Sequence, residues 1–268
     1  MENTSIEEFR EYLIDKERSR NTIDSYIRSI KIYFEKYNEV NKANLIDFKK
    51  WLLETKKPKT AHNRIVALNQ YCVFLGHPEY CVKSIRIHGS SSVENVITLN
   101  EYEKLLEGLY KDGNIKGYWM IKYLAKTGAR VSEFIKIPKS ALQDGYVEMW
   151  TKGKMRRIYI PKNLIDESAD FFTEQGGKYL FCNKQGKQYT TRGISQNISN
   201  WCKKYGIRED VAHPHAFRHL YAIEFLKRNP NIALLADLMG HSSVSTTSIY
   251  LKLSKEEQIK QFNEASSW

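Results

Sequence analysis

The eight residues His88 to Asn95, HGSSSVEN, constrain most strongly what this 268-residue chain can fold into. Glycine and clustered serine favour a flexible connection over a packed element, so the chain on each side must bury a core of its own. At 41% hydrophobic residues it has the material to do so. The expected organisation is one domain at residues 1–88, a linker at 89–95 and a second domain at 96–268.

The first part reads as helices throughout. Ile6, Phe9 and Leu13, then Ile23, Tyr26, Ile27, Ile30, Ile32 and Tyr33, recur at helical spacing on either side of a polar stretch from Lys16 to Asn21. Asn21 or Thr22 is the expected cap of the second helix. A third helix is expected from Asn44 to Thr55 on Leu45, Phe48, Trp51 and Leu52. A fourth runs from Thr60 to Phe74 and ends at Gly76, giving a small helical bundle. Arg18, Arg20, Asn21 and Thr22 cluster at the start of the second helix, and Lys57, Lys59, Thr60, Asn63 and Arg64 at the start of the fourth. Helix amino ends offer free N–H groups to phosphates, and flanking cations add attraction, so these residues form a candidate DNA-facing surface. A solvated polar face with ordinary caps is the alternative.

The second part is mixed. Thr98-Leu-Asn-Glu looks like a capped helix start, a helix follows over Gly117 to Thr127 and stops at Gly128, and Arg130-Val-Ser-Glu opens another that ends by Pro138. Tyr146 to Trp150 and Met155 to Ile160 alternate around Thr151-Lys-Gly-Lys, the pattern of a hairpin with a basic tip. Lys154 and Arg156 on it are further candidates for DNA contact. Tyr179 to Phe181 reads as a third strand. Helices return over Thr191 to Tyr205, Pro214 to Lys227, Asn231 to Met239 and Lys255 to Ala265, the last with Ile259 and Phe262 as its apolar stripe. The fold class expected is mainly α with a small β-sheet.

Charge narrows the partners. The chain carries a formal +11 with a pI near 9.3, divided as +4 over residues 1–88 and +7 over the rest, so nucleic acid is the first polyanion to consider. Cys72, Cys81, Cys182 and Cys202 have no C-x-x-C spacing and read as reduced thiols of a cytoplasmic protein. MENTSIEEFREYL starts acidic and lacks an apolar leader core, and no run of eighteen apolar residues follows, which argues against secretion or membrane insertion.

Two clusters near the carboxyl end carry chemistry. His215 and Arg218 are three apart on one helix face, where a guanidinium can grip phosphate and an imidazole can donate or relay a proton. His219, a turn beyond His215, and His213 nearby allow a rival zinc reading, but no Glu completes H-E-x-x-H and no cysteine is spaced to join them. Farther on, His241 precedes Tyr250 by nine positions in HSSVSTTSIY, after the helix stop Gly240. Taken alone, a tyrosine such as Tyr250 is more often a packing residue with a wet hydroxyl.

Together the segments TGARVSE (127–133), TKGKMRR (151–157), HAFRH (215–219), LMGHSS (238–243) and Tyr250 resemble, in order and spacing, the tyrosine recombinases or phage-type integrases, and the resemblance spans nearly the whole chain. It implies a helical core-binding domain of SAM-like type followed by a mixed α/β catalytic domain, closing on DNA as a clamp. Arg130 and Arg218 match the arginines that bind the scissile phosphate, His215 the histidine of H-x-x-R, and His241 a position held by His or Trp. Lys152 matches the general acid for the leaving 5′ oxygen, with Lys154 the competing candidate, Glu133 an acidic position that orients cations, and Tyr250 the nucleophile. The implied activity is site-specific cleavage and rejoining of double-stranded DNA through a covalent 3′-phosphotyrosine and a Holliday junction, with no metal, cofactor or ATP. A type IB topoisomerase is the alternative with the same chemistry. The resemblance further implies a homo-tetramer on DNA, a monomer or weak oligomer when free, and action in the cytoplasm at the nucleoid, and it leaves open whether an accessory protein takes part. The carboxyl-terminal helix docks on a neighbour or on its own domain. Helical pattern starting near residue 5 is expected to leave no separate arm-binding domain, as in the simpler Xer-like members. Without DNA, Tyr250 is expected to sit away from Arg130 and Arg218.

Overall fold

A computed structural model describes residues 2–86, 96–151, 154–183, 185–241, 243–251, 263–264 and 266–267. The chain divides into two compact units, Met1–Gly89 and Ser90–Trp268. Both are mainly helical, and the sheet has two strands. The linker reading at 89–95, Lys152 in the hairpin turn, and Ile259 and Phe262 of the last expected helix lie outside the described residues.

The first unit contains α1 (Glu2–Asp15), α2 (Arg20–Phe34), α3 (Lys42–Thr55) and α4 (Pro58–Phe74). Its core is aromatic: Phe9, Tyr33, Phe48 and Tyr71 are buried together with Leu13, Ile30, Leu45, Leu52, Ile65 and Leu68. Ser19, not Asn21 or Thr22, caps α2, because its extended backbone (φ −61°, ψ 146°) lets the hydroxyl accept from the Thr22 N–H. α4 starts two residues before Thr60, with Pro58 in the first turn, where a missing N–H costs no helical hydrogen bond. After α4 the chain runs extended along the bundle over residues 81–86. There Lys49 donates to the Lys83 carbonyl (2.7 Å), the Asn69 amide bonds both Val82 N–H and C=O, and His62 Nδ1 lies 2.8 Å from the Ile85 carbonyl oxygen.

The second unit begins with α5 (Leu99–Lys111), whose Thr98 and Glu101 form the reciprocal cap foreseen for this start. α6 (Ile115–Thr127) follows, then the single turns α7 (Val131–Phe134) and α8 (Ala141–Asp144). Strands β1 (Tyr146–Thr151) and β2 (Lys154–Tyr159) pair antiparallel with Tyr146 opposite Tyr159 and Thr151 opposite Lys154. The third strand expected at Tyr179 to Phe181 does not form: Tyr179 makes one isolated bridge, to Pro138. α9 (Lys162–Glu174), α10 (Thr191–Lys204), α11 (Pro214–Arg228) and α12 (Ile232–Met239) complete the unit, followed by short 3-10 turns at Val244–Thr246 and Ser248–Leu251. α9 has no counterpart in the sequence reading, although Leu164, Ser168 and Phe172 fall on one helical face and are buried. α11 is central, packed against α6, α10 and α12, and its buried Phe217 and Leu220 join the main core.

Candidate active site

The site is built where two helices end. α6 stops at Gly128 (φ +59°) and α12 at Gly240 (φ +60°), both in the left-handed conformation that glycine adopts without Cβ strain. A helix end leaves carbonyls without intrahelical partners, and these carry partial negative charge. Here they meet arginines. Arg218, 3% exposed on α11, donates to the carbonyls of Gly128 and Met239. Arg130 donates to the Gly240 carbonyl at 2.9 Å, and Arg156 to that of Leu238 at 2.9 Å. Three guanidiniums are thus held side by side by oxygens that cannot titrate.

Glu133 supplies the carboxylate that pairs with Arg130 and Arg156. It accepts from the backbone N–H and the guanidinium of Arg130, each at 2.9 Å, and from Arg156 in a buried ion pair. Burial alone would push its pKa up, but the hydrogen bonds and charges of Arg156 and Arg130 outweigh that and hold it below the ordinary carboxylate range. Strand alternation turns Arg156 inward with Ile158, so it is 6% exposed, while its neighbour Arg157 takes the outer face beside Glu148 and Tyr146.

His241 follows Gly240 directly. Its Nε2 accepts from Arg218 at 3.1 Å, which places the ring proton on Nδ1, where it donates to the buried hydroxyl of Thr247 at 2.6 Å. Burial, then Arg218, Arg130 and Arg156, bring its pKa down to about 4, so the ring is neutral at pH 7. Burial and the two neighbouring arginines bring Arg218 down to about 9, still charged at pH 7. Arg130 is the accessible member, its side chain a third exposed. It lines a cleft of about 850 Å³ together with Arg156, Gly240, His241, Trp150 and Met155.

Tyr250 lies on the last 3-10 turn. Its ring packs on the small apolar cluster of Ala222, Leu235 and Met239, and its hydroxyl is 2.7 Å from Nδ1 of His219. Among the described residues it makes no hydrogen bond to Arg130 or Arg218. Burial raises its pKa while the Arg218 charge opposes the rise. His215 sits a turn before His219, the two rings perpendicular at 5.6 Å.

The histidines that suggested zinc are otherwise engaged in part: His213 caps α11 through the Ala216 N–H, and His219 meets Tyr250. Among the described residues no three His, Cys, Asp or Glu side chains are grouped to hold a metal ion. The side chain of Lys154 lies outside the described residues, as does Lys152. In the first unit Arg18, Arg20, Asn21, Lys57, Lys59, Thr60 and Asn63 are exposed, and Thr22 and Arg64 half-buried, at the amino ends of α2 and α4. No helix of the described residues is long and apolar enough to cross a membrane.

The sequence points to Arg130, His215, Arg218, His241 and Tyr250 as candidates but carries no direct sign of the carbonyl cage, of Thr247 or of His219's contact with the phenol. An indirect signal for the cage is present, since Gly128 and Gly240 each follow a helix and directly precede or neighbour the charged segments.

Comparison with known proteins matches residues 95–257 to the phage integrase family and residues 6–78 to the phage integrase N-terminal SAM-like domain. The chain is 27% identical to the tyrosine recombinase XerC of Leptospira interrogans over 95% of its own length and 90% of that protein's. It is 26% identical to the tyrosine recombinase XerD of Staphylococcus epidermidis, covering 98% of both chains. Its fold is similar to that of a lambda integrase dimer bound to a COC′ core site, with a TM-score of 0.75, 17% identity, and 92% and 94% of the two chains covered.

Proposed function

The chain belongs to the phage integrase family, the DNA strand-transferring tyrosine recombinases, and from that premise we propose that Tyr250 attacks a scissile DNA phosphate to form a covalent 3′-phosphotyrosine. The observation that carries the proposal is the convergence of Arg130 and Arg218, held on the consecutive carbonyls of Gly240 and Met239, around the neutral ring of His241. In phosphoryl transfer, negative charge spreads over the non-bridging oxygens, and fixed cations aimed at them supply most of the acceleration. Arg130 and Arg218 bind those oxygens. His241, with Nδ1–H engaged by Thr247 and Nε2 by Arg218, positions Arg218 and turns toward phosphate when it enters. His215 assists from α11, Glu133 keeps Arg130 and Arg156 in register, and Lys152 protonates the leaving 5′ oxygen. The two arginines stay rigid because the carbonyl cage is in place before the substrate, so little reorganisation of them is needed at the moment of reaction.

The same reading makes the protein a site-specific recombinase that acts on DNA in the cytoplasm, needs no metal or ATP, and pairs two duplexes as a homo-tetramer through a Holliday junction. The basic amino ends of α2 and α4 would contact the duplex backbone. The test is a nicked suicide DNA substrate whose cleavage cannot be reversed. Wild-type protein should form a covalent adduct, Tyr250→Phe none, and an undiminished adduct from Tyr250→Phe would overturn the assignment.

A further inference from the structure

A phenol that attacks phosphorus must lose its proton, and among the described residues the one hydrogen-bond partner of the Tyr250 hydroxyl is Nδ1 of His219, at 2.7 Å. Resting on the reading of Tyr250 as the nucleophile, we propose that His219 is the base that takes the phenol proton during strand cleavage and returns it during rejoining. His219 is held for this on α11, the helix that also carries His215 and Arg218, so the base and one of the two phosphate-binding arginines share one rigid element. Tyr250 is held by the apolar cluster of Ala222, Leu235 and Met239, which fixes the ring while leaving its oxygen on the imidazole. Both ends of the hydrogen bond are therefore positioned by packing.

The protons and bonds balance. As the P–O bond to Tyr250 forms, the O–H proton passes to Nδ1 of His219, which must carry its own proton on Nε2 and becomes imidazolium. The P–O5′ bond breaks, and the 5′ oxygen takes a proton from a separate acid. Rejoining reverses each transfer, and no electron is gained or lost.

The surroundings make this base conditional. Without DNA, burial and the charges of His215, His213 and Arg218 bring His219 down to about 4, and burial keeps Tyr250 protonated. A phosphate bound at Arg130 and Arg218 brings negative charge that offsets those cations, and with it the imidazolium becomes tolerable. The nucleophile is thereby neutral in the free protein and activated by the substrate it attacks.

Two substitutions separate proton transfer from positioning. His219→Asn keeps an acceptor oxygen near the place of Nδ1 but cannot take a proton at neutral pH, and His219→Gln serves as a second variant should the first fold poorly. Single-turnover adduct formation is measured on ordinary DNA and on DNA with a 5′-bridging phosphorothiolate, whose sulfur leaves without protonation. Expected is a loss of about a hundredfold on both substrates for both variants, the usual scale of general base catalysis. A His219→Asn rate within threefold of wild type would reduce His219 to a positioning group and overturn the proposal. Recovery on the phosphorothiolate would overturn it as well, by moving the defect to the leaving group. Failure of the underlying reading is seen separately, as adduct from Tyr250→Phe.

Discussion

The buried carboxylate of Glu133 pairs with Arg156 while its other oxygen fixes Arg130 in the cleft wall. Glu133 and Arg156 are 3% and 6% exposed, so removing one charge leaves the other uncompensated in the interior. Glu133→Gln should therefore destabilise the second unit by about 3–5 kcal/mol, the range for breaking a buried pair. The folded-state pKa of Glu133 is depressed, so its contribution is present above the unfolded carboxylate value near 4.3 and is lost as pH falls below it. Urea unfolding of wild type should steepen its acid loss there, and the variant should show a flatter acid limb.

Gly240 serves two purposes, and a pair of substitutions separates them. A Cβ at Gly240 would stand 2.4 Å from Cδ of Arg156, besides occupying a left-handed backbone at φ +60°. Gly113 has nearly the same backbone, φ +67°, with nothing within 4 Å of its would-be Cβ. Gly113→Ala should thus cost about 1 kcal/mol from backbone strain alone. Gly240→Ala should cost about 2 kcal/mol more and slow DNA cleavage at least tenfold, because Arg156 and the Gly240 carbonyl that holds Arg130 both shift. Equal melting temperatures for the two variants would show that Arg156 yields freely.

How far the sequence could reach follows from where each interaction is encoded. The bundle of the first unit was legible because Phe9, Leu13, Ile30, Leu45, Phe48 and Leu52 repeat at helical spacing and are all buried. The charged residues of the second unit were legible as motifs. What holds them was not, because backbone carbonyls of residues 128, 238, 239 and 240 have no letter in a sequence. The burial of Arg156 was not legible for a different reason: a basic hairpin tip suggests exposure, whereas strand alternation puts 156 and 158 on the inner face and 157 on the outer. His219 was visible only as a possible zinc ligand, since the approach of Tyr250 across 31 positions depends on the packing of the last turn against α11.

His241 should give the protein a pH-dependent stability on the acidic side of neutrality. Its pKa falls from about 6.5 unfolded to about 4 folded, so between those values the unfolded chain binds a proton that the folded ring refuses. Stability is then complete above about pH 6.5 and declines as pH drops toward 4. His219, also brought down to about 4, acts in the same sense. The urea midpoint measured at pH 4.5, 5.5 and 7 should rise with pH in wild type. It should rise less steeply in His241→Gln, which removes one of the two protons; an unaltered slope would contradict the neutral, Arg218-bonded ring.

Lys57 and Lys59 flank the amino end of α4, and both are exposed. If they contact DNA phosphates, each neutralised phosphate releases counterions and adds about 0.9 to the slope of log K against log salt. Lys57→Ala with Lys59→Ala should then weaken binding to specific and unrelated duplexes alike and reduce the salt slope by about 2. Helix stability should change little, since Pro58 already fixes the first turn and Lys57 makes no side-chain cap. Fluorescence anisotropy titrations at several salt concentrations measure the slope directly. A slope equal to wild type would assign this amino end to solvent and leave the duplex to the face at α2, where Arg18 and Arg20 would be the next pair to change.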